Sequence, residues 1–139
     1  MFESAMLGHK IDKETFKAEV PKLRAGLLEA QEKLREDGTF PVIILISGVD
    51  GSGKRDTINT LYEWMDPRYM STRTFSAPTQ EERQRPSMWR FWRALPKKGR
   101  IGIAAGSWYS WPVADRIAGD LSRSDFDQRM DELNRFEEM

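Results

Sequence analysis

The sequence reads PVIILISGVDGSGK over residues 41–54, and the architecture follows from this stretch. Its first six residues, Pro41 to Ile46, are apolar without alternation, which is typical of a parallel strand buried on both faces. Glycines and a lysine follow with the G-x-x-x-x-G-K spacing, from Gly48 to Lys54. The stretch therefore predicts a buried strand that opens onto a phosphate-binding turn, or P-loop.

The chemistry of the loop suits a phosphate group. Glycines without Cβ atoms let backbone N–H groups curl around phosphate oxygens, and the next helix offers its positive N-terminal end. The ammonium of Lys54 can reach the terminal phosphates. The alternative, a glycine-rich turn without a ligand, is disfavoured by the apolar strand before it and the helical pattern after it. The phosphate-binding candidates are Gly48, Gly51, Ser52, Gly53, Lys54 and Arg55.

One position departs from the ordinary P-loop pattern. Arg55 follows the lysine, where the pattern has a Ser or Thr whose hydroxyl binds Mg²⁺. Asp50, inside the loop, is the obvious substitute, because Mg²⁺ takes carboxylate and phosphate oxygens. We therefore expect Mg²⁺ as the cofactor and Asp50 as its protein ligand, and we expect Asp50 and Lys54 to be the catalytic residues.

The composition limits the possible binding partners and the cellular location. The 139 residues make one domain's worth of chain, with 22 basic and 22 acidic side chains, so no overall field favours nucleic acid or a membrane. Any site for a polyanion must be local. There is no cysteine, no apolar run long enough to span a membrane and no basic export signal at the start. We therefore expect a cytoplasmic protein.

The rest of the pattern alternates strands and helices. A helix begins at Asp12 and is expected to restart at Pro21 before stopping at Gly38. Another follows the loop and ends before Pro67. Residues 70–75 and 99–106 read as further strands, the second reached by a helical crossover. A cap at residues 124–127 opens a last helix, whose apolar stripe needs a partner: Phe126, Met130, Leu133 and Phe136.

A basic segment precedes the third strand. Seven cations follow Glu82 with no acid among them, interleaved with aromatic residues on a helix predicted over residues 86–95. Such a run is as often a solvated face as an anion groove, and the nearby P-loop favours the groove. Stacking of single-stranded nucleic acid on the tryptophans is a third, weaker alternative. The cations are Arg83, Arg85, Arg90, Arg93, Lys97, Lys98 and Arg100.

Several motifs together give a family resemblance. They are Gly8-His9-Lys10, residues 48–54, Trp64-Met65-Asp66-Pro67-Arg68, Arg85-Pro86, residues 88–96 (MWRFWRALP) and Gly106-Ser107-Trp108-Tyr109. With them the chain resembles the polyphosphate kinase 2 family, P-loop kinases related in fold to thymidylate kinase, and most of all the N-terminal half of its two-domain polyphosphate:AMP phosphotransferases. The resemblance runs over the whole chain.

The resemblance implies a fold and an activity. The fold is α/β, a P-loop kinase-like parallel sheet flanked by helices in three layers. The activity is phosphoryl transfer from polyphosphate to a nucleotide, AMP to ADP, with Mg²⁺. The implied partners are polyphosphate and AMP or ADP, with a second homologous domain or another copy of the chain. The candidates for the polyphosphate and nucleotide groove are Arg68, Arg85, Arg90 and Arg93.

This chain departs from the family's later motif, Asp-Arg-Ser-Trp-Tyr-Asn-Arg. Ser107, Trp108 and Tyr109 match, but the four charged or amide positions fall on Ala105, Gly106, Ser110 and Trp111. Because phosphoryl transfer depends on positioning and charge neutralisation, we expect this half to be catalytically degenerate. Two alternatives are a non-catalytic half that binds polyphosphate or packs as a scaffold on an active domain, and an ATP-dependent nucleoside monophosphate kinase.

We divide the chain into two parts. Residues 1–39 are predicted to be a helical segment that packs on the sheet, and residues 40–139 a P-loop kinase-like domain, truncated and incomplete at its C-terminus. Strand 41–46 is then expected to lie at a sheet edge.

Overall fold

The computed structural model describes residues 10–49 and 51–139, which form a three-stranded parallel sheet with helices on both faces. The strands are β1 (Val42–Ile46), β2 (Met70–Thr74) and β3 (Ile101–Ala105), in the spatial order β1-β3-β2. Val42 and Met70 both pair with Ile101, so the three strands begin level and end level. The predicted α/β class and all three strands are confirmed, and β1 lies at an edge as expected.

Within residues 10–49 and 51–139, six helices and a short 3₁₀ turn connect and flank the strands. In chain order they are α1 (Lys13–Asp37), α2 (Lys54–Trp64), the 3₁₀ turn (Pro67–Tyr69), α3 (Gln80–Arg83), α4 (Trp89–Trp92), α5 (Ser110–Ala118) and α6 (Arg123–Glu137). In the described residues, no helix has the length and apolar character needed to cross a bilayer.

Helix α1 is continuous, so the predicted restart at Pro21 is wrong. The carboxylate of Asp12 accepts hydrogen bonds from the N–H groups of Glu14 and Thr15, and Gly38 ends the helix in the left-handed region at φ 60°. Pro21 lies inside the helix at an exposed position, where it removes one backbone hydrogen bond. The buried residues of the helix, Gln31 and Leu34, both follow Pro21. Their packing against the rest of the fold stabilises the helix despite the proline.

Two other boundaries differ from the predictions. Helix α6 is capped by Ser122, whose hydroxyl accepts a hydrogen bond from the N–H of Asp125 at 3.1 Å, two residues before the predicted cap begins. Helix α4 covers only Trp89–Trp92 of the predicted 86–95. Turn hydrogen bonds occupy the flanks of α4, including that from the N–H of Leu95 to the carbonyl of Trp92.

Two apolar clusters hold the layers together, one on each face of the sheet. Alternating residues of β3, Ile101 and Ile103, pack with α1 and α2 in the first cluster, completed by Leu34, Met65 and Met70. The second cluster joins α4, the segment after β3, and α6 on the other face, and consists of Phe91, Trp108, Leu133 and Phe136. The apolar stripe of α6 therefore has its partner, and the sheet lies between two helical layers.

Candidate phosphate-binding site

The P-loop connects β1 directly to α2 at the carboxyl end of the sheet. Gly51 and Gly53 have φ values of 81° and 84°, which favour glycine. At Gly48 a Cβ atom would lie 2.5 Å from the Ser52 hydroxyl oxygen, so a larger residue would force the Ser52 side chain to shift. The N–H of Ser52 donates to the carbonyl of Val49 at 3.2 Å and closes the turn. The predicted phosphate-binding glycines thus all lie in one tight turn.

The Lys54 side chain folds back over this turn. Its ammonium donates to the carbonyl oxygens of Gly48 and of Val49, the latter at 2.8 Å. Among the described residues no side chain caps α2 at Gly53, and the positive N-terminal end of the helix lies at the loop. Backbone N–H groups and the ammonium therefore lie at the same turn, where a phosphate group would meet both.

The metal prediction depends on one residue. Asp50 lies outside the described residues, as does the Gly8-His9 part of the first motif. In residues 10–49 and 51–139 there is no group of three or more His, Asp or Glu side chains that could hold a metal ion. Strand β3 ends in Ala105, and the next N–H, that of Gly106, donates to the carbonyl of Ile46 at 3.0 Å. Arg55 lies exposed in the first turn of α2.

A second concave surface lies at the carboxyl end of β2, one strand away from the P-loop. This pocket of about 290 Å³ has three arginines in its wall, and we call it the arginine pocket. Two of them, Arg90 and Arg93, are groove candidates from the sequence. The lining residues are Arg73, Thr74, Phe75, Ser76, Thr79, Glu82, Trp89, Arg90, Arg93 and Ala94.

Local sequence signals build the pocket wall. Thr79 and Glu82 form a capping box on α3: the Thr79 hydroxyl accepts from the N–H of Glu82 at 3.2 Å, and the Glu82 carboxylate accepts from the N–H of Thr79 at 2.8 Å. The box fixes the Glu82 carboxylate with one oxygen 3.6 Å from Nε of Arg90. The capping box thereby positions Glu82, the one acidic residue among the described residues that line the pocket.

Arg90 is held firmly in this wall. Its Nη2 donates to the carbonyl of Ser76 at 2.8 Å, and its guanidinium lies 5.5 Å from the ring centroid of Phe75 and 5.6 Å from that of Phe91. Only 10% of its side chain is exposed. Nε and Nη1 are buried and have no hydrogen-bond partner among the described residues. Arg90 is thus a fixed and incompletely satisfied cation.

Arg93 and Arg85 share one aromatic side chain. The guanidinium of Arg93 lies 4.7 Å from the ring of Trp89, and that of Arg85 lies 5.4 Å from it. Arg85 also lies 3.8 Å from Glu81 and lines a neighbouring pocket instead of the arginine pocket. Of the predicted groove residues, Arg90 and Arg93 are therefore brought together, and Arg85 is next to them.

Arg68 is not brought to this groove. It precedes β2 rather than following it, so it lies at the amino end of the sheet, opposite the P-loop. There its guanidinium donates to both carboxylate oxygens of Asp66 and lies 5.7 Å from the ring of Tyr69. These hydrogen bonds hold the pKa of Asp66 below its usual value. Arg68 is therefore paired with Asp66 at the end of the sheet opposite the P-loop.

Sequence reasoning overlooked Arg73. It lies in β2 and lines the arginine pocket, but it belongs neither to the basic run after Glu82 nor to the motifs that carry the family resemblance. A signal was present, since Arg73 is a charged residue two positions before the end of the predicted strand 70–75, at the end where parallel α/β sheets bind ligands.

Comparisons with known proteins identify the family to which this chain is similar. A family model described as Polyphosphate kinase 2 (PPK2) matches residues 10–139. Over all 139 residues the chain is 50% identical to a polyphosphate:AMP phosphotransferase of Pseudomonas aeruginosa and 47% identical to one of Pseudomonas syringae. It spans 28% of the length of each of these curated relatives.

A solved structure agrees with the fold. The crystal structure of polyphosphate kinase 2 from Arthrobacter aurescens superposes with a TM-score of 0.86 at 27% identity, over 95% of this chain and 48% of that one. The match therefore covers nearly all of this chain's architecture.

Proposed function

Because the chain belongs to the polyphosphate kinase 2 family, we propose that it is part of a polyphosphate-dependent nucleotide phosphotransferase that makes ADP from AMP and polyphosphate. One observation carries the proposal: the Lys54 ammonium and the first turn of α2 meet at a tight glycine turn where β1 ends. The proposed donor and acceptor are the substrates in the name of the two relatives, polyphosphate:AMP phosphotransferase.

The proposed reaction places clear demands on the protein. An oxygen of the AMP phosphate attacks the terminal phosphorus of polyphosphate, and a new P–O–P bridge forms. The bridge to the next phosphate breaks, and its oxygen leaves with the electron pair as the end of a chain one unit shorter. The enzyme must hold both anions close and neutralise their charge, which is what Lys54 and the N–H groups of the loop would do.

Mg²⁺ is the cofactor that we propose for this site. Asp50 would be its protein ligand, and the phosphate oxygens would complete the coordination, because Mg²⁺ is commonly held by one or two carboxylates together with substrate phosphates. When bound, the ion would offset negative charge on the transferred group.

We further propose that this unit binds phosphate groups but catalyses phosphoryl transfer only slowly. Ala105 and Gly106 stand where the family motif has an aspartate and an arginine. Neither side chain can ligate a metal ion or offset charge, and arginines that stabilise the transferring group are worth about a thousandfold or more in rate. Gly106 has φ 89°, so an arginine there would be strained.

The setting completes the proposal. We expect a cytoplasmic protein that works with a second homologous domain or another copy of the chain. We assign residues 1–39 to a helical segment and residues 40–139 to the P-loop kinase-like domain. Within the second part we assign phosphate binding to the loop, including Ser52 and Arg55, and the catalytic roles to Asp50 and Lys54.

The test separates holding from turnover. Binding of tripolyphosphate is measured by calorimetry for the full chain, Lys54→Ala and the control Lys22→Ala, which removes an exposed lysine of α1. We expect Lys54→Ala to weaken binding at least tenfold and Lys22→Ala to leave it within twofold. Equal affinities for the chain and Lys54→Ala would refute the proposed phosphate site.

Turnover is followed in parallel as ADP formed from AMP, with polyphosphate or ATP as the donor. We expect slow turnover with polyphosphate and an increase in Ala105→Asp, which restores the carboxylate. A faster reaction with ATP would favour an ATP-dependent nucleoside monophosphate kinase. Complete lack of turnover in both proteins, with binding intact, would favour the non-catalytic polyphosphate-binding or scaffold role.

A further inference from the structure

The loop that follows β3, residues 106–109, lies at the carboxyl end of the sheet beside the P-loop, and we call it the strand-end loop. The N–H of Gly106 donates to the carbonyl of Ile46 at 3.0 Å, just before the P-loop begins. The hydroxyl of Ser107 accepts from the N–H of Tyr109 at 3.1 Å, and its carbonyl accepts from the N–H of Ser110 at 3.0 Å. The strand-end loop is therefore a tight turn that is bonded to the strand leading into the P-loop.

Trp108 anchors this loop in the second apolar cluster. Its side chain is only 5% exposed, and its ring meets those of Phe91 and Phe136 edge to face at 5.9 and 5.1 Å between centroids. The indole N–H donates to Oε1 of Glu137 at 2.8 Å. Because a buried donor without an acceptor is costly, the fixed position of the loop depends on this carboxylate as well as on packing.

Glu137 is an acid at an unfavourable place on its own helix. It is the last residue of α6, where the helix dipole disfavours negative charge. In the described part of the chain, no lysine or arginine forms an ion pair with it. Its partners are instead two neighbours in the strand-end loop. Burial raises the pKa of the Tyr109 hydroxyl, and its interaction with the Glu137 carboxylate raises that pKa further. The carboxylate is thus placed to hold the loop.

The two ends of this connection belong to different helical layers. Helix α6 packs in the second cluster, whereas α2, which begins at the P-loop, packs with the first cluster on the other face of the sheet. The path from Glu137 runs through the indole of Trp108 and the backbone of the strand-end loop to the Gly106–Ile46 hydrogen bond. A carboxylate in one layer is therefore linked to the loop that opens the other.

We propose that Glu137 is a positioning residue for the phosphate site, which holds the strand-end loop and, through it, the end of β1 from which the P-loop starts. This inference rests on the proposed function, because the site that it positions is the one proposed to bind phosphate. Glu137 acts through Trp108 and Gly106 and contacts no phosphate itself.

A binding measurement with a matched control tests the proposal. Tripolyphosphate is titrated into the full chain, Glu137→Ala, Glu137→Gln and the control Glu132→Ala, at a temperature where circular dichroism shows each to be folded. Glu132 lies on the same helix and accepts a hydrogen bond from the Ser87 hydroxyl at 2.8 Å, outside the strand-end loop. We expect Glu137→Ala to weaken binding about fivefold. Glu137→Gln keeps an acceptor oxygen for Trp108, so we expect it and Glu132→Ala to stay within about twofold.

The indole N–H of Trp108 gives a direct spectroscopic readout. The chain has five tryptophans, and Trp108→Phe identifies the Trp108 signal among their indole N–H resonances in a nitrogen–proton correlation spectrum. We expect this signal to move to higher field in Glu137→Ala, where the hydrogen bond is lost, and to move much less in Glu137→Gln. Tripolyphosphate added to the full chain should also shift it. This last measurement needs no variant of Glu137 and decides the question even if Glu137→Ala does not fold.

The outcomes separate this inference from the proposed function. Tripolyphosphate affinity within twofold of the full chain in a folded Glu137→Ala would overturn it, as would equal losses in Glu137→Ala and Glu132→Ala. A Trp108 signal that tripolyphosphate leaves unchanged would overturn it as well. Failure of the proposed function is read from Lys54→Ala instead: a large loss of affinity there, with none in Glu137→Ala, leaves the phosphate site in place and removes only the positioning role.

Discussion

Two clusters of three arginines lie at opposite ends of the sheet, and they differ in their partners. At the amino end the guanidiniums of Arg35, Arg68 and Arg100 each lie 5.7 Å from the ring of Tyr69. Glu32 pairs with Arg35, and Asp66 pairs with Arg68. At the carboxyl end, by contrast, three arginines face one carboxylate across a concave surface.

The comparison shows what distinguishes a binding site from a cationic surface. The number of arginines is the same, so clustering alone does not indicate an anion site. The difference lies in the partners. Among the described residues, two acids pair with the amino-end cations, whereas Glu82 is the one acid that lines the arginine pocket, and neither Arg73 nor Arg93 forms an ion pair. Charge balance within a concave surface is therefore the useful criterion.

The largest expected effect comes from removing the support of the carboxyl-end site. Phe136 packs against Phe91, Trp92 and Trp108, and Phe91 lies against the guanidinium of Arg90. We expect Phe136→Ala to lower the free energy of unfolding by about 3–5 kcal/mol, as large-to-small changes in buried aromatic residues do. Urea denaturation followed by tryptophan fluorescence measures it.

A matched control is available on α1. Phe16 is 49% exposed, so Phe16→Ala is expected to cost less than about 1 kcal/mol. Similar losses for the two variants would mean that the aromatic cluster does not support the wall of the arginine pocket.

A second prediction concerns the acid of the arginine pocket. Glu82→Ala removes a partner of Arg90 and half of the capping box, so we expect a loss of about 1–3 kcal/mol in the free energy of unfolding. Glu81→Ala, its neighbour on α3, removes an exposed ion pair and should cost less than about 1 kcal/mol. The same denaturation measurement compares the two, and equal costs would contradict the role given to Glu82.

The comparison can also be reversed. If the acids Glu32 and Asp66 prevent phosphate binding at the amino-end arginines, the double variant Glu32→Gln and Asp66→Asn should create a weak phosphate site there. Tripolyphosphate binding is measured in a Lys54→Ala background, where we expect a gain of a few fold that disappears at high salt. The matched control removes two exposed acids of α1, Glu29→Gln with Asp37→Asn. An equal gain in both would show that only net charge matters.

The smallest effect is expected at Arg68 itself. Arg68→Ala should change AMP and tripolyphosphate affinity less than twofold, because the residue lies at the end of the sheet away from the P-loop. Its hydrogen bonds lower the pKa of Asp66, so this pair stabilises the fold above the ordinary carboxyl pKa, and the contribution is lost as the pH falls through the lowered value. Between pH 7 and pH 3, the free energy of unfolding should fall less in Arg68→Ala than in the unmodified chain. A tenfold loss of AMP affinity in this variant would instead show that Arg68 belongs to the nucleotide groove.

The fold was largely readable from local sequence, because its main signals are short. The apolar run of β1 and the glycine spacing predicted the first strand and its turn, and both are present. The restart at Pro21 failed because tertiary packing beyond it holds α1 together. The start of α6 was misplaced because Ser122 and Ser124 are equally good caps by sequence.

The candidate site was only partly readable, because it depends on which residues the sheet brings together. Arg68 lies two residues before β2 begins, and Arg73 lies one residue before β2 ends. The two residues are five positions apart in sequence but at opposite ends of the strand. A pattern of charge along the chain does not separate them. Only the parallel pairing of β2 with β3 shows which one faces the loop end.

The central place of β3 has a consequence for synthesis. Both other strands pair only with β3, although they precede it in the chain. On the ribosome, β1 must wait until residues 47–100 have been made before it can form its first interstrand hydrogen bond. At about 5–20 residues per second this delay is roughly 3–11 s. The apolar strand ahead of the glycine turn is unsheltered during that interval, which makes the nascent chain a natural client for chaperones.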